Sequence, residues 1–251
     1  MRSTRSSAPQ RIAQLHRETE RIGVAIHTGV EVRRIERAGD RLRVVYEESG
    51  AERTAEAERV INGAGRLANV AGLDLAAGNV RAERERVTLD PHLRSTSNGA
   101  AYACGDTVAD HAQLSPIATC EGRIVGRNIV DGPEHIPDYT AIPSCVFTVP
   151  ALASVGLTQA AAEEKGIELR VAVNDMHEWL SGRTYALSAA WSKVLIDKNT
   201  DRILGAHLFG HAGEELIHIF ALAIKHDITA TEIQDFVYGF PTFSADIKSM
   251  L

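Results

Sequence analysis

The stretch WSKVLIDKNTDRILGAHLFG, residues 191–210, constrains the fold more than any other part of this chain. Two apolar runs, VLID and ILGAHLFG, flank the polar turn Lys198-Asn199-Thr200-Asp201. Branched aliphatic residues on either side of so short a turn predict an antiparallel hairpin. The neighbouring segments predict its company. SCVFTVP (144–150) and ELRVAVND (168–175) read as strands, and TQAAAEEKG as a helix with Thr158 at its N-cap. Two helices follow, one over 212–226 and one capped by Thr229 or Thr231 and running to about Val237. Trp179 and Trp191 flank the polar segment SGRTYALSAA and are expected to pack this α+β domain.

Upstream of DGPEHIPDYTAIP (131–143), a Pro-rich stretch that marks a domain boundary, the character differs. Ile12, Leu15 and Ile22 recur at roughly helical spacing, and Gly23 ends that helix. VAIHTG reads as a brief strand. VEVRRIER, RLRVVYEE and ERTAEAE, parted by Ala38-Gly39-Asp40 and Ser49-Gly50, read as a small antiparallel meander. RVIN (59–62) reads as a strand entering the turn GAGR (63–66), whose small residues allow a backbone or ligand to approach closely. After a less regular stretch, 100–104 reads as a buried strand with Gly105-Asp106 at its end. A helix then starts with Ser115 as N-cap and Pro116 at N1.

At 251 residues and 44% hydrophobic the chain can bury one or two cores, and its net charge of -6 offers no footprint for nucleic acid. Residues 1–66 hold 13 Arg and no Lys against 10 Asp plus Glu, a pattern expected of a solvated, Arg-rich face. Cys104, Cys120 and Cys145 form neither CxxC nor CxxxxC, so no zinc site or local redox disulfide is encoded, and the pattern suits a reducing cytoplasm. No apolar run approaches the roughly 20 residues of a membrane span. The start MRSTRSSAPQ lacks the apolar core of a secretory signal and reads as a frayed or artificial beginning.

The strongest chemical signal is YACGD followed by LSPIATCEGR. Asp106 at a strand end can accept from a ribose or ribitol hydroxyl, and a helix N-terminus near Ser115 offers N–H groups and positive potential to an electron-rich oxygen. On these residues alone the plainer reading stays open, in which Asp106 caps a loop and Ser115 caps a helix. His207, His211, His218 and His226 lack a compact pair on one helix, so they read as surface or interface histidines and no metal site is expected. Cys120 reads as a small core thiol.

Six motifs in order, GAGRxxN, LRSTSNGAAYACGD, LSPIATCEGR, FTVPALASVGLT, VLIDKNTDRILGAHLFG and FPTFS, cover nearly the whole chain. Together they resemble the C-terminal half of the FAD-dependent pyridine nucleotide-disulfide oxidoreductases, such as glutathione reductase, dihydrolipoamide dehydrogenase and mercuric reductase. The resemblance implies an α/β and α+β fold: partial Rossmann-like NAD(P)/FAD domain remnants, then an α+β dimerisation domain. Residues 1–66 would be the rear of the NAD(P)H domain, 67–135 the returning FAD segment, and 138–251 the interface domain of a two-fold homodimer. It implies that Asp106, with Gly105, meets the ribityl-phosphate region, that the backbone at Ser115 faces flavin O2, and that Gly65 and Arg66 lie between the two nucleotides. The Phe240 carbonyl would accept from flavin N3 of the partner subunit.

Departures from the family pattern bear on activity. No GxGxxG occurs, so neither pyrophosphate cradle is present, and FAD and NAD(P)H are not expected to bind tightly to this chain alone. The family's interface His and Glu fall on Phe240 and Ala245, which cannot move a proton. Asp246 is one residue late and, in an extended segment, would sit on the opposite face. No catalytic residue is therefore assigned. The expectation is a truncated flavoprotein oxidoreductase that is not competent in thiol-disulfide exchange. The alternatives are a non-catalytic dimerisation module and a split flavoenzyme whose N-terminal half is a separate chain.

Overall fold

The computed structural model describes residues 9–83, 86–108 and 112–251. Of the expected frayed start, residues 1–10, the first eight lie outside them, and Pro9 and Gln10 instead begin a helix. In chain order the elements are α1 (Pro9–Arg21), β1 (Glu31–Ala38), β2 (Arg41–Glu48), β3 (Ala51–Ala57), β4 (Ala82–Glu83), β5 (Arg86–Val87), α2 (Ser115–Asp131), β6 (Ser144–Val146) and β7 (Leu152–Gly156). There follow α3 (Gln159–Glu164), β8 (Leu169–Asp175), α4 (Leu180–Thr184), β9 (Trp191–Asp197), β10 (Ile203–Phe209), α5 (Gly213–Lys225), α6 (Ala230–Asp235) and α7 (Ile247–Met250). They gather into two compact units, one holding residues 63–139 and the other residues 9–62 with 140–251.

In the larger unit the expected hairpin is β9–β10, with Trp191 opposite Phe209 and Val194 opposite Ala206. It lies inside an antiparallel sheet of order β6-β7-β10-β9-β8. Leu216, Ile217, Phe220 and Ala223 of α5 pack with Val155, Val194, Ile196, Ala206 and Leu208 in one buried cluster. A second cluster, Leu152, Trp191 and Phe209, receives Leu15 of α1. Local chemistry sets the helix starts. Thr158 accepts from the Ala161 N–H, and Thr229 forms a reciprocal capping box with Glu232. The meander is present as β1-β2-β3, with arginines paired to glutamates across its strands, among them Arg33 to Glu47 at 2.6 Å and Arg43 to Glu56 at 2.9 Å. Its charges are thereby balanced locally, on exposed side chains.

Several expectations are corrected. Residues 24–29, 59–62 and 100–104 are not strands. Tyr102 makes an isolated bridge to Arg94, and the other two segments have no ladder partner among the described residues. Ser115 is not the N-cap of α2. The Ala118 N–H donates to the Leu114 carbonyl at 3.1 Å, so the ladder begins one residue early and Leu114 is the cap residue.

The tail is not extended either. Residues 243–246 form a short 3-10 turn that carries Asp246 inward. Its Oδ2 accepts from His211 Nε2 at 2.8 Å and from the Ser181 hydroxyl. His207 and His211 are only 2% and 1% exposed, so neither is a surface histidine. His207 Nε2 bonds the Leu157 carbonyl at 3.1 Å. The His211 ring sits edge-on to Trp179 and Phe243. Burial outweighs the Asp246 carboxylate and holds His211 below its ordinary imidazole value.

Close approaches in this sheet predict the cost of substitution. A Cβ on Gly205 would lie 2.2 Å from the Leu157 carbonyl oxygen, whereas one on Gly126 in α2 meets nothing within 4 Å. Gly205→Ala is expected to destabilise the larger unit by about 3 kcal/mol in urea unfolding. Gly126→Ala should stabilise its helix by about 0.5–1 kcal/mol.

His211 predicts a pH effect. Because its folded pKa is depressed, its contribution is complete above about pH 6.5 and is lost as pH falls from there toward the folded value. The stability gap between the native chain and His211→Gln should therefore narrow from pH 7.5 to 5.5. A constant gap in matched urea titrations would count against a neutral His211.

Candidate functional site

Five of the six expected site residues, Gly65, Arg66, Gly105, Asp106 and Ser115, lie in the unit of residues 63–139. Gly65 adopts φ +105 and turns the chain into Arg66. Arg66 Nη1 meets Asp106 Oδ2 at 2.7 Å, and its Nη2 donates to the Gln113 carbonyl at 2.9 Å. This guanidinium thus links the GAGR turn, the Gly105-Asp106 turn and the approach to α2. Both members are accessible, at 63% for Arg66 and 32% for Asp106.

Asp106 lies in a 3-10 turn over Gly105–Thr107. Gly105 has φ +71, and a Cβ there would stand 3.1 Å from the Ala118 Cβ, so the turn rests directly on α2. Its N–H donates to Glu121 Oε2 at 2.6 Å. Glu121 has no exposed surface, and its Oε1 accepts from the Tyr139 hydroxyl at 2.8 Å. Burial and then the Glu121 carboxylate push the Tyr139 phenol and the Cys104 thiol upward. Neither ionises near neutrality, so this network is an anchor and not a reacting group. Sequence reasoning did not single out Glu121. The available signal was a carboxylate inside the helical run LSPIATCEGR, with nothing in its local pattern naming Gly105 as its partner.

The first turn of α2 is open. Leu114 makes no side-chain cap and Pro116 has no N–H, while Ser115 is exposed. Gln113 Nε2 is buried with no hydrogen-bond partner among the described residues. An accessible carboxylate, an uncapped helix start and an unanswered amide donor fit the hydroxyl-rich and carbonyl-bearing face of a flavin nucleotide. The fit is one-sided, because the chain contains no GxGxxG to hold a pyrophosphate. Cys120 is exposed rather than a core thiol.

Phe240, the sixth residue, belongs to the other unit and is 75% exposed, with a cis peptide to Pro241. Near it, Ser181, His211 and Asp246 superficially resemble a nucleophile triad. However, Asp246 Oδ2 accepts from both partners, and His211 Nδ1 is buried without a hydrogen-bond partner among the described residues. A triad needs the carboxylate and the hydroxyl on opposite ring nitrogens, so this cluster does not activate Ser181. No cluster of three or more His, Cys, Asp or Glu side chains suited to a metal occurs among the described residues, and no described helix is long and apolar enough to cross a membrane.

Two family models match the chain: pyridine nucleotide-disulphide oxidoreductase over residues 2–122, and the dimerisation domain of the same family over 142–251. An uncharacterised 19.7 kDa protein in a mercuric resistance operon of Staphylococcus aureus is 36% identical over 180 residues, covering 71% of this chain and 100% of that protein. A dihydrolipoyl dehydrogenase of Rhizobium etli is 32% identical over 236 residues, 92% of this chain but 48% of the enzyme, so the chain spans about half its length. Among solved structures, the copper(II) complex of the HOCl-induced flavoprotein disulfide reductase RclA from Escherichia coli superposes with TM-score 0.87. It does so at 23% identity, over 98% of this chain and 56% of the other. The mixed α/β architecture is therefore that of the flavoprotein disulfide reductases, and the chain belongs to the pyridine nucleotide-disulphide oxidoreductase family.

Proposed function

We propose that this chain provides one side of the flavin site and the dimer contact of an FAD- and NAD(P)H-dependent oxidoreductase. In this reading residues 1–66 derive from the NAD(P)H domain, 67–135 from the FAD domain, and 138–251 form the two-fold interface. The observation that carries it is the open first turn of α2 beside the accessible Asp106 carboxylate, with the Gly105 turn fixed by buried Glu121. FAD, when bound, supplies two-electron transfer between NAD(P)H and an acceptor. Asp106 would accept from a ribityl hydroxyl, Gly105 would let the cofactor backbone approach, and the N–H groups near Ser115 would favour charge on the flavin carbonyl. Gly65 and Arg66 would border the nicotinamide side.

Thiol-disulfide exchange is not part of this reading. Phe240 and Ala245 carry no titratable atom, and Asp246 is turned inward to His211. The chain alone should hold FAD weakly, for want of a pyrophosphate cradle. The relative covered along its whole 180 residues favours a second reading, in which a chain of this kind pairs with a separate flavin-binding chain.

Purified chain is expected to be nearly colourless. Added FAD should bind with a Kd no tighter than about 10 μM, and Asp106→Asn should weaken it about tenfold, the scale of one charge-assisted hydrogen bond. Stoichiometric flavin in the purified protein overturns the weak binding expected from the missing cradle, and binding indifferent to Asp106→Asn overturns the assignment of Asp106. Sedimentation equilibrium should give a homodimer at micromolar concentration. A monomer there would refute the interface role of residues 138–251.

A further inference from the structure

The segment from Tyr238 to Asp246 is held at both ends and bare in the middle. At its start the Tyr238 hydroxyl donates to the Ile233 carbonyl at 3.2 Å. Its ring meets Phe236 at 5.0 Å, and Lys248 Nζ stands 5.5 Å from its centroid. At its end Phe243 stacks on Tyr185 at 4.9 Å and meets the His211 ring at 4.7 Å. Between these anchors Phe240 projects, 75% exposed. The base of the projection is closed by Thr242, whose hydroxyl donates to the Gly239 carbonyl at 2.7 Å and accepts from the Ala245 N–H at 3.1 Å.

The downstream anchor is polar and lies deep. Asp246 Oδ2 gathers donors from two distant parts of the chain, Ser181 in α4 and His211 at the corner between β10 and α5. His211 is itself fixed, 1% exposed, in the left-handed region at φ 57 and walled by Trp179 and Phe243. Moving the 243–246 turn therefore breaks two hydrogen bonds to one carboxylate and leaves the buried His211 Nε2 with only the Ser181 hydroxyl, 3.4 Å away, which general hydrogen-bond energetics make costly. Phe240 is only three residues upstream of Phe243, so its carbonyl follows that turn closely.

We infer that His211, Asp246 and Ser181 are positioning residues that fix where the Phe240 carbonyl is presented. The inference rests on the flavin-facing reading of Phe240 given above, and it assigns the placing of that carbonyl to a buried network on three separate segments. None of the three is a catalytic residue, since none reaches the exposed side of the projection.

Hydrogen-exchange mass spectrometry on the full chain without flavin tests this directly. Asp246→Ala should speed exchange in peptides covering 238–245 about tenfold while peptides from β9 and β10 keep their protection, as expected for local opening. His211→Ala should act likewise. His211→Gln retains an N–H donor toward Asp246 and should stay within about threefold of the native chain. Spectra of 15N-histidine-labelled native chain should show the His211 proton on Nε2, a signature that a role in packing alone does not require. Unchanged exchange over 238–245, or equal acceleration in β9–β10, overturns the inference, as does a His211 proton on Nδ1. Should Asp246→Ala fail to fold, Ser181→Ala removes one donor only and should give about threefold faster exchange in 238–245 alone. No change there is also fatal. Because no flavin is present, failure of FAD binding leaves these results standing, and failure here leaves the flavin reading untouched.

Discussion

The peptide around Leu157, just past the end of β7, is pinned against β10, and the pairing of those two strands depends on that close approach. Its N–H donates to the Leu204 carbonyl at 2.8 Å, and its carbonyl meets His207 Nε2 at 3.1 Å. The contact is possible only because Gly156 and Gly205 leave the space empty. Gly156, at φ +74, could not carry a Cβ without meeting the Leu204 carbonyl at 2.3 Å. With β7 seated this tightly on β10, the buried face presents Val155, Ala206 and Leu208 as one surface for α5, while Leu152 and Phe209 share the other cluster with Leu15. A buried His207 is the polar consequence, and it is answered by the same carbonyl that excludes a side chain at position 205.

Each unit uses a sheltered carboxylate to fix a turn that propensity alone would leave loose. Glu121 holds Gly105 and Tyr139, and Asp246 holds Ser181 and His211. Such groups are expensive to desolvate, and a hydrophobic replacement of the whole network is often no less stable. Their value here is directional. A carboxylate oxygen accepts from specified donors, so it fixes the orientation of a backbone turn in a way that apolar contact does not. The first turn so held carries Asp106, and the second follows Phe240.

What could be read in the sequence was what neighbours in sequence decide. The β9–β10 hairpin, the β1–β3 meander, the Thr158 cap and the Thr229 capping box each depend on residues a few positions apart. The strands expected at 24–29, 59–62 and 100–104 show the opposite case. A strand is a relation between segments, and apolar or β-branched composition does not supply its partner. The same limit hid Asp246. Its inward direction comes from a 3-10 turn closed by Thr242 and from partners 35 and 65 residues away, which no local pattern announces. The Gly105-Asp106 turn shows up as a Gly-Asp pair, a local arrangement, though not at the end of a strand. Glu121, which holds that turn, does not.

The contrast between Glu121 and Asp106 bears on which carboxylate can serve a ligand. Glu121 is fully buried, with both oxygens accepting hydrogen bonds, and taking either away would strand a buried charge. Asp106 is bound by an ion pair to Arg66 whose members are 32% and 63% exposed. An accessible pair of this kind contributes about 1 kcal/mol or less, because water and salt compete for both charges. A hydroxyl approaching Asp106 therefore displaces little, and Arg66 can keep its bond to the Gln113 carbonyl while it moves. The carboxylate that cannot be reached orients the turn, which leaves the reachable one, beside an uncapped helix start, as the group whose loss should change binding more than stability.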